Sequence, residues 1–191
     1  SFLSRHANIK RFRNAIIKWQ CTVDYNGNYL ENHDQHRSIG KYVWGKNQDI
    51  GAKMLLTLLF TLRGTPFLYM GEEVGARDYP KPLDLENCSD CVTSAVYNLA
   101  KKKFHLPKFV AKRIAWQSSR DDSRAPMAFN NEEGYGFASK GVTPWQVYNS
   151  NGAIYNYENE KDDPKSIFAY FKKINELRET NKTFVYGTIG F

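Results

Sequence analysis

The chain has 191 residues, and its 27 Lys and Arg against 20 Asp and Glu give a formal net charge of +7. This length fits one large domain better than a set of small modules. With 41% hydrophobic residues, 13 Gly and 7 Pro, the composition excludes a chain that is mainly disordered or collagen-like. The apolar run 54–60 is far shorter than the roughly 20 residues that cross a bilayer, so no membrane partner is predicted.

Cysteine use and the distribution of charge narrow the class of protein further. Three Cys cannot all pair within the chain, and no apolar signal segment opens it, so we expect a cytoplasmic protein. The first residues include no start Met and resemble the middle of a helix, which predicts further chain upstream. The basic clusters at 5–18 and 101–103 accompany no nucleic-acid motif, so we interpret them as solvated faces and predict no nucleic-acid partner. The sequence gives no prediction of oligomeric state.

The first half of the chain alternates helical and strand patterns. Apolar spacing predicts a helix over 4–19, and a short buried strand over 28–32 precedes a polar loop at 33–37. A leucine-rich face followed by a Gly and Pro stop signal predicts a helix over 49–63. A second strand is predicted over 66–70, and carboxylates follow it directly.

The second half begins with a long segment of weak pattern. Residues 75–162 predict a long connection with one helix between 93 and 103, and connections of such length are usually functional when ordered. Asp163 is predicted to cap a helix that begins at Pro164 and continues to 178. Alternation over 183–191 predicts a final strand.

The order of these elements indicates an α/β protein with a parallel sheet. The polar residues His33, Asp34 and Glu72 follow predicted strands, which is where (β/α)8 barrels carry their catalytic loops. A complete barrel takes about 250 residues, so the chain is predicted to contain part of one.

Four motifs then carry a family resemblance in their order along the chain: YLENHDQHR, GAKMLLTLLFTLRGTPFLYMGEEVG, SRDDSRAPM and DDPKSIFAYFKKINELRETN. Together they resemble glycoside hydrolase family 13, the α-amylase superfamily, and most of all its α-glucosidase, oligo-1,6-glucosidase and trehalose-6-phosphate hydrolase branch. The resemblance implies that 1–181 is the C-terminal portion of a (β/α)8 TIM barrel. It would hold strands seven and eight with their helices and a long last loop, and 182–191 would begin a small C-terminal β-domain.

The family resemblance also implies a reaction. Such enzymes are retaining glycosidases, whose nucleophile and acid/base are carboxylates about 5 to 5.5 Å apart. In the family these come from strands four and five, which we expect upstream of Ser1, so the chain alone is expected to be an inactive fragment of an α-glucosidase. Asp34 is implied as the transition-state stabiliser, and His33 is implied to bind the ring hydroxyls of a small α-glucoside.

Three further residues are implied to bind substrate. Arg124, in RAPMAFN where the family usually has RTPMQWD, would pair with a carboxylate at the blind end of the pocket. Glu72 belongs to a Gly-Glu-Glu that mainly braces the loop and the pocket wall. Arg37 would line the pocket rim, next to His36, which replaces the usual Pro.

The residues leave open an alternative metal site and two alternative functions. Cys88 and Cys91 with His33 and His36 have the ligand types of a zinc site, but their spacing matches standard zinc patterns poorly. A glucosyl transferase or isomerase of the same fold, and a non-catalytic barrel that serves as a binding or partner subunit, are rival functions. No metal or organic cofactor is predicted, and linkage specificity is left open.

Overall fold

The computed structural model describes residues 8–190. The helices and strands of this part are, in chain order, α1 (Ile9–Thr22), β1 (Gly27–Asn28), α2 (Ser38–Tyr42), α3 (Gln48–Thr61), β2 (Thr65–Pro66), α4 (Cys91–Asn98), α5 (Lys108–Gln117), α6 (Asp121–Arg124), α7 (Tyr157–Glu160), α8 (Ile167–Thr180) and α9 (Thr183–Tyr186). A π-helical turn, Leu99–Lys103, extends α4, and single 3₁₀ turns lie at Glu72–Val74, Leu85–Asn87, Glu133–Gly136 and Ser150–Ala153. Within 8–190, no helix is both long enough and apolar enough to cross a membrane.

The two strands β1 and β2 are parallel neighbours, with Gly27 opposite Thr65. The expected parallel pair is therefore confirmed, but the expected strand lengths, 28–32 and 66–70, are wrong. Side chains take the backbone groups that a longer ladder would use: Lys41 Nζ donates to the carbonyl of Leu30 at 3.1 Å, and an Arg37 guanidinium nitrogen donates to that of Met70 at 2.8 Å.

Helix α1 is joined to the strands by a buried amide. The Nε2 atom of Gln20 donates to Asn28 Oδ1 at 3.3 Å and to the carbonyl of Arg63 at 3.0 Å, which joins α1 to β1 and to the residues just before β2. Of the helix expected over 4–19, residues 4–7 lie outside the described part. From Ile9 the helix is present, and it continues to Thr22.

The main core lies between α3 and α8. Its buried residues are Leu30, Ile39, Val43, Ala52, Leu55, Leu56, Leu59, Phe60, Ile167 and Ile174. Helix α8 begins at Ile167 rather than at Pro164, because the Ser166 hydroxyl caps it by accepting from the amide of Ala169 at 2.9 Å. Asp163 instead accepts from the amide of Lys165 in the turn before the helix.

The long connection contains a second small core that the sequence pattern did not predict. The expected helix between 93 and 103 corresponds to α4 and its π-helical turn, and α5 packs beside α4. Tyr79, Trp116 and Ala125 are buried together in this core.

The strand expected over 183–191 is wrong, since Thr183–Tyr186 forms the helix α9. Local hydrogen bonds favour the turn: Asn181 Oδ1 accepts from the amide of Thr183 at 3.0 Å. The buried guanidinium of Arg178 then donates to the carbonyls of Phe184 and Phe60, at 2.9 and 2.7 Å, which holds α9 against the end of α3.

Gly64 allows the close approach of β2 to β1. Its φ is +111°, and a Cβ there would lie 1.9 Å from the carbonyl oxygen of Asn26. Gly45 also has a positive φ, +83°, but a Cβ there would meet nothing within 4 Å. Substitutions at these two glycines therefore distinguish the cost of backbone strain from the cost of a steric clash.

We predict that Gly64→Ala lowers the free energy of unfolding by about 3 kcal/mol or more, because strain and a backbone clash add. Gly45→Ala should cost only about 1 to 2 kcal/mol, which is the strain alone. Urea unfolding of both variants measures the difference. Equal losses would show that the strands are not held as close as described.

Candidate functional site

His33 and Asp34 lie in the loop that follows β1, as the sequence predicted. His33 Nε2 is 3.3 Å from Asp34 Oδ2, and the two side chains are 68% and 49% exposed. The Oδ1 atom of Asn32 accepts from the amide of Asp34 at 2.9 Å, which fixes the turn. The loop thus presents a carboxylate and an imidazole side by side to solvent.

Two arginines from the long connection converge on one oxygen of this carboxylate. Asp34 Oδ1 accepts from Arg120 Nη1 at 3.1 Å and from Arg124 Nη2 at 2.9 Å. Arg124 Nε also donates to the carbonyl of His33 at 2.9 Å. The structure therefore brings together His33, Asp34 and Arg124, and within 8–190 the carboxylate partner of Arg124 is Asp34.

These neighbours keep Asp34 ionised. Desolvation acts to raise its pKa, but the charge of His33 and the hydrogen bonds from Arg120 and Arg124 outweigh it, so the pKa of Asp34 is lowered from its ordinary value. A carboxylate that stays charged at neutral pH can stabilise a positive charge that develops beside it.

Arg120 and Asp90 were missed by the sequence analysis. Asp90 caps α4 and is buried, and its Oδ1 accepts from Arg120 Nε at 3.0 Å and from Arg120 Nη2 at 2.6 Å. The signal for Arg120 was its place in the motif SRDDSRAPM, where only the second arginine was assigned a role. Asp90 had no signal, because the pairing spans a separation of 30 residues.

A second pair joins the same two segments. His36 Nδ1 is 2.5 Å from Asp122 Oδ2, and His36 Nε2 is 3.0 Å from the carbonyl of Gln117. The other carboxylate oxygen of Asp122, which is fully buried, accepts from the amide of Tyr79 at 2.8 Å. The His that replaces the usual Pro thus fastens the Asp34 loop to the segment 117–124.

The alternative zinc set is not assembled. Among the described residues, the one group of three potential metal ligands close together is His36, Asp78 and Asp122, with no Cys. Both ring nitrogens of His36 already face hydrogen-bond partners. This geometry gives no support to a site made of the Cys88 and Cys91 thiols.

The structure gives no support to the prediction that Arg37 lines the pocket rim, because its side chain is only 2% exposed. One guanidinium nitrogen donates to Glu31 Oε2 at 2.9 Å, and the guanidinium lies 5.2 Å from the centre of the Tyr69 ring. The same nitrogen donates to the carbonyl of Met70. Arg37 therefore joins the segments that follow the two strands from inside the protein.

Glu72 is also buried, so the structure gives no support to a contact with substrate. Its Oε2 accepts from the amide of Tyr69 at 2.9 Å, and Glu73 accepts from the amide of Gly71 at 2.9 Å. Burial, and next the charge of Glu31, raise the pKa of the Glu72 carboxyl to about 8. The bracing role expected for this Gly-Glu-Glu fits these contacts.

We predict that Glu72→Gln stabilises the protein at pH 8 but not at pH 4. A carboxyl with a raised folded pKa binds more protons in the folded state, so the stability of the native protein falls as pH rises from about 4.5 towards 8. The amide removes this loss, which should raise the free energy of unfolding at pH 8 by about 1 to 3 kcal/mol. Urea unfolding at both pH values measures it, with the exposed Glu133→Gln as control. No gain at pH 8 would contradict the buried carboxyl.

Comparison with known proteins identifies the family. The model of the α-amylase catalytic domain matches residues 3–187, and the chain belongs to this family. The oligo-1,6-glucosidase of Parageobacillus thermoglucosidasius is 34% identical over 181 residues, which are 92% of this chain and 32% of that enzyme. The chain thus spans about a third of the length of this relative.

Solved structures of the family share the fold. A mutant of Bacillus licheniformis trehalose-6-phosphate hydrolase superposes with a TM-score of 0.85 at 32% identity, covering 93% of this chain and 32% of that one. The isomaltulose synthase of Klebsiella sp. LX3 gives a TM-score of 0.84 at 29% identity, covering 94% and 33%. The (β/α)8 fold class is therefore supported, while the assignment of β1 and β2 to barrel strands seven and eight stays a prediction.

Proposed function

We propose that the chain forms the C-terminal part of the barrel of a retaining α-glucosidase that hydrolyses terminal α-glucosidic bonds of short saccharides. The observation that carries this proposal is the exposed Asp34 carboxylate in the loop that follows the parallel strand β1, held ionised beside His33. The relatives named oligo-1,6-glucosidase support the substrate class. The division into a barrel portion, 1–181, and the start of a β-domain, 182–191, and the cytoplasmic location stay predictions.

The proposed mechanism assigns this chain the stabilisation of charge. A retaining enzyme forms and hydrolyses a glycosyl intermediate through an oxocarbenium-like transition state, using a nucleophile and an acid/base carboxylate. By family resemblance, those two residues come from other barrel strands. Asp34 would attract the cation-like sugar more strongly than the resting one, and His33 would hydrogen-bond a ring hydroxyl.

Arg124 is proposed to close the blind end of the pocket. Its side chain is 19% exposed, and its Nε and Nη2 atoms donate to the Asp34 loop, so Nη1 would be the nitrogen that contacts a hydroxyl or a further carboxylate. An end wall behind one terminal glucose restricts the enzyme to chain ends. Linkage preference is left to other loops of the barrel.

A glucosyl transferase or isomerase is the second candidate, because the neighbours include isomaltulose synthase. The two reactions share the glycosyl intermediate and differ in whether water or a sugar hydroxyl accepts it. Incubation with sucrose and analysis of the products separates them. A non-catalytic barrel is disfavoured, since the chain keeps Asn32, His33 and Asp34 together in the site.

In the full-length protein, we predict that Asp34→Asn leaves folding almost unchanged and strongly lowers turnover. The substitution keeps the size of the side chain but removes its charge, and comparable losses of transition-state stabilisation amount to about 3 to 4 kcal/mol. KM should change less than kcat on an aryl α-glucoside. The 191-residue chain alone should release no glucose. Wild-type turnover by the variant would remove Asp34 from the mechanism, and glucose release by the chain would overturn the assignment of the other carboxylates.

We further predict that Arg124→Ala in the full-length protein lowers kcat/KM, with a loss of transition-state binding free energy of about 2 to 4 kcal/mol. The variant loses a charge-assisted hydrogen bond and the end wall at once. The exposed Arg113→Ala on α5 makes the same change outside the site and serves as the control. Normal hydrolysis of a small aryl α-glucoside by Arg124→Ala would place Arg124 outside the pocket.

A further inference from the structure

We infer that Arg120 is a positioning residue for Asp34: anchored by the buried Asp90, it holds one carboxylate oxygen of Asp34 so that the other faces the sugar. This inference rests on the proposed function and deepens it. It adds to the site an arginine and a carboxylate that neither the sequence analysis nor the proposed mechanism used.

Asp90 holds Arg120 along one edge of its guanidinium. The Asp90 side chain is fully buried, and its Oδ1 receives both Nε and Nη2 of Arg120, while its Oδ2 accepts from the backbone amide of Arg120 at 3.0 Å. A guanidinium held on one edge by two N–H groups has a fixed plane. The remaining nitrogen, Nη1, therefore has one direction, and it points to Asp34.

The two oxygens of the Asp34 carboxylate have different surroundings. Its Oδ1 accepts from both Arg120 and Arg124, whereas neither arginine is hydrogen-bonded to its Oδ2, which lies 3.3 Å from His33 Nε2. The torsion that turns an Asp carboxylate is soft and nearly two-fold when nothing holds it. Two donors on one oxygen fix this torsion and leave the other oxygen available to a substrate.

Asp90 also balances the charge of Arg120. Arg124 pairs with Asp34, and Arg120 is shared between Asp34 and Asp90. The formal charges of these two arginines and two carboxylates therefore sum to zero. Asp90 thus prevents Arg120 from adding a net positive charge next to a developing oxocarbenium ion, which would disfavour it. The same arrangement explains why a buried carboxylate stands at the N-terminus of α4, where it also accepts from the amide of Val92.

The test uses Arg120→Gln in the full-length enzyme, with Arg113→Gln on α5 as the matched control. We expect kcat on an aryl α-glucoside to fall about 10- to 100-fold, as for a misplaced catalytic group, with KM changed less than about 3-fold. The acid limb of the pH–rate profile should move to higher pH, because Asp34 loses a hydrogen bond to its charged form. Arg113→Gln should change none of these. An unchanged kcat and acid limb in Arg120→Gln would overturn the inference.

A double variant separates positioning from a purely structural role. Arg120→Gln alone leaves Asp90 buried without its cation, so a loss of folding would be ambiguous. The double variant Arg120→Gln with Asp90→Asn replaces the ion pair with neutral amides and keeps a cap for α4. We expect its kcat to stay as low as that of Arg120→Gln. Recovery of wild-type kcat in the double variant would show that Arg120 serves only to neutralise Asp90, and would refute positioning.

A titration distinguishes failure of this inference from failure of the proposed function. Carbon-detected NMR of the Asp34 carboxyl in the full-length protein reports its pKa without any substrate. The pKa should rise in Arg120→Gln and stay unchanged in Arg113→Gln. If the wild-type protein cleaves no α-glucoside, the proposed function is wrong. If the pKa of Asp34 is the same in Arg120→Gln as in the wild-type protein, Arg120 does not position Asp34, whatever the reaction is.

Discussion

Two carboxylates that water does not reach, Asp90 and Asp122, determine how the candidate site is assembled. A buried carboxylate is costly unless it is paired and hydrogen-bonded. Asp90 is paired with Arg120, and Asp122 with His36, and each pairing connects segments far apart in the sequence. Hydrogen bonds from Arg120 and Arg124 to Asp34, and from His36 to Asp122 and Gln117, therefore join the Asp34 loop to the segment 117–124.

This arrangement links the packing of the long connection to the chemistry of the loop. Helices α4 and α5 form a small unit beside the main core, and the N-terminal cap of α4 is the anchor of Arg120. A change in this unit would thus alter the direction of a guanidinium that touches Asp34. The connection is long because it supplies both the support and the arginines of the site.

The sequence predicted those parts of the fold that depend on local periodicity. The apolar faces of α3 and α8 and the parallel order of β1 and β2 could be read from spacing and turn residues. Strand lengths could not, because Lys41 and Arg37 take backbone carbonyls that the apolar runs suggested for a ladder. The strand predicted over 183–191 was wrong for a related reason: hydrogen bonds from Arg178 stabilise the helix α9 although the apolar residues of this segment alternate.

The sequence predicted only those site residues that belong to a recognisable motif. His33, Asp34 and Arg124 lie close together, but Arg124 pairs with Asp34, whereas the family resemblance implied a carboxylate at the blind end of the pocket as its partner. The inward position of Arg37 was not predicted, because its pairing with the buried Glu31 leaves no signal in the sequence.

The most direct test of this account is a crystal structure of the full-length protein with an unreactive α-glucoside bound. The account predicts Asp34 Oδ2 within hydrogen-bond distance of a ring hydroxyl of the terminal glucose, with Oδ1 still on Arg120 and Arg124. A sugar bound elsewhere, or an Asp34 carboxylate turned away from it, would contradict the account.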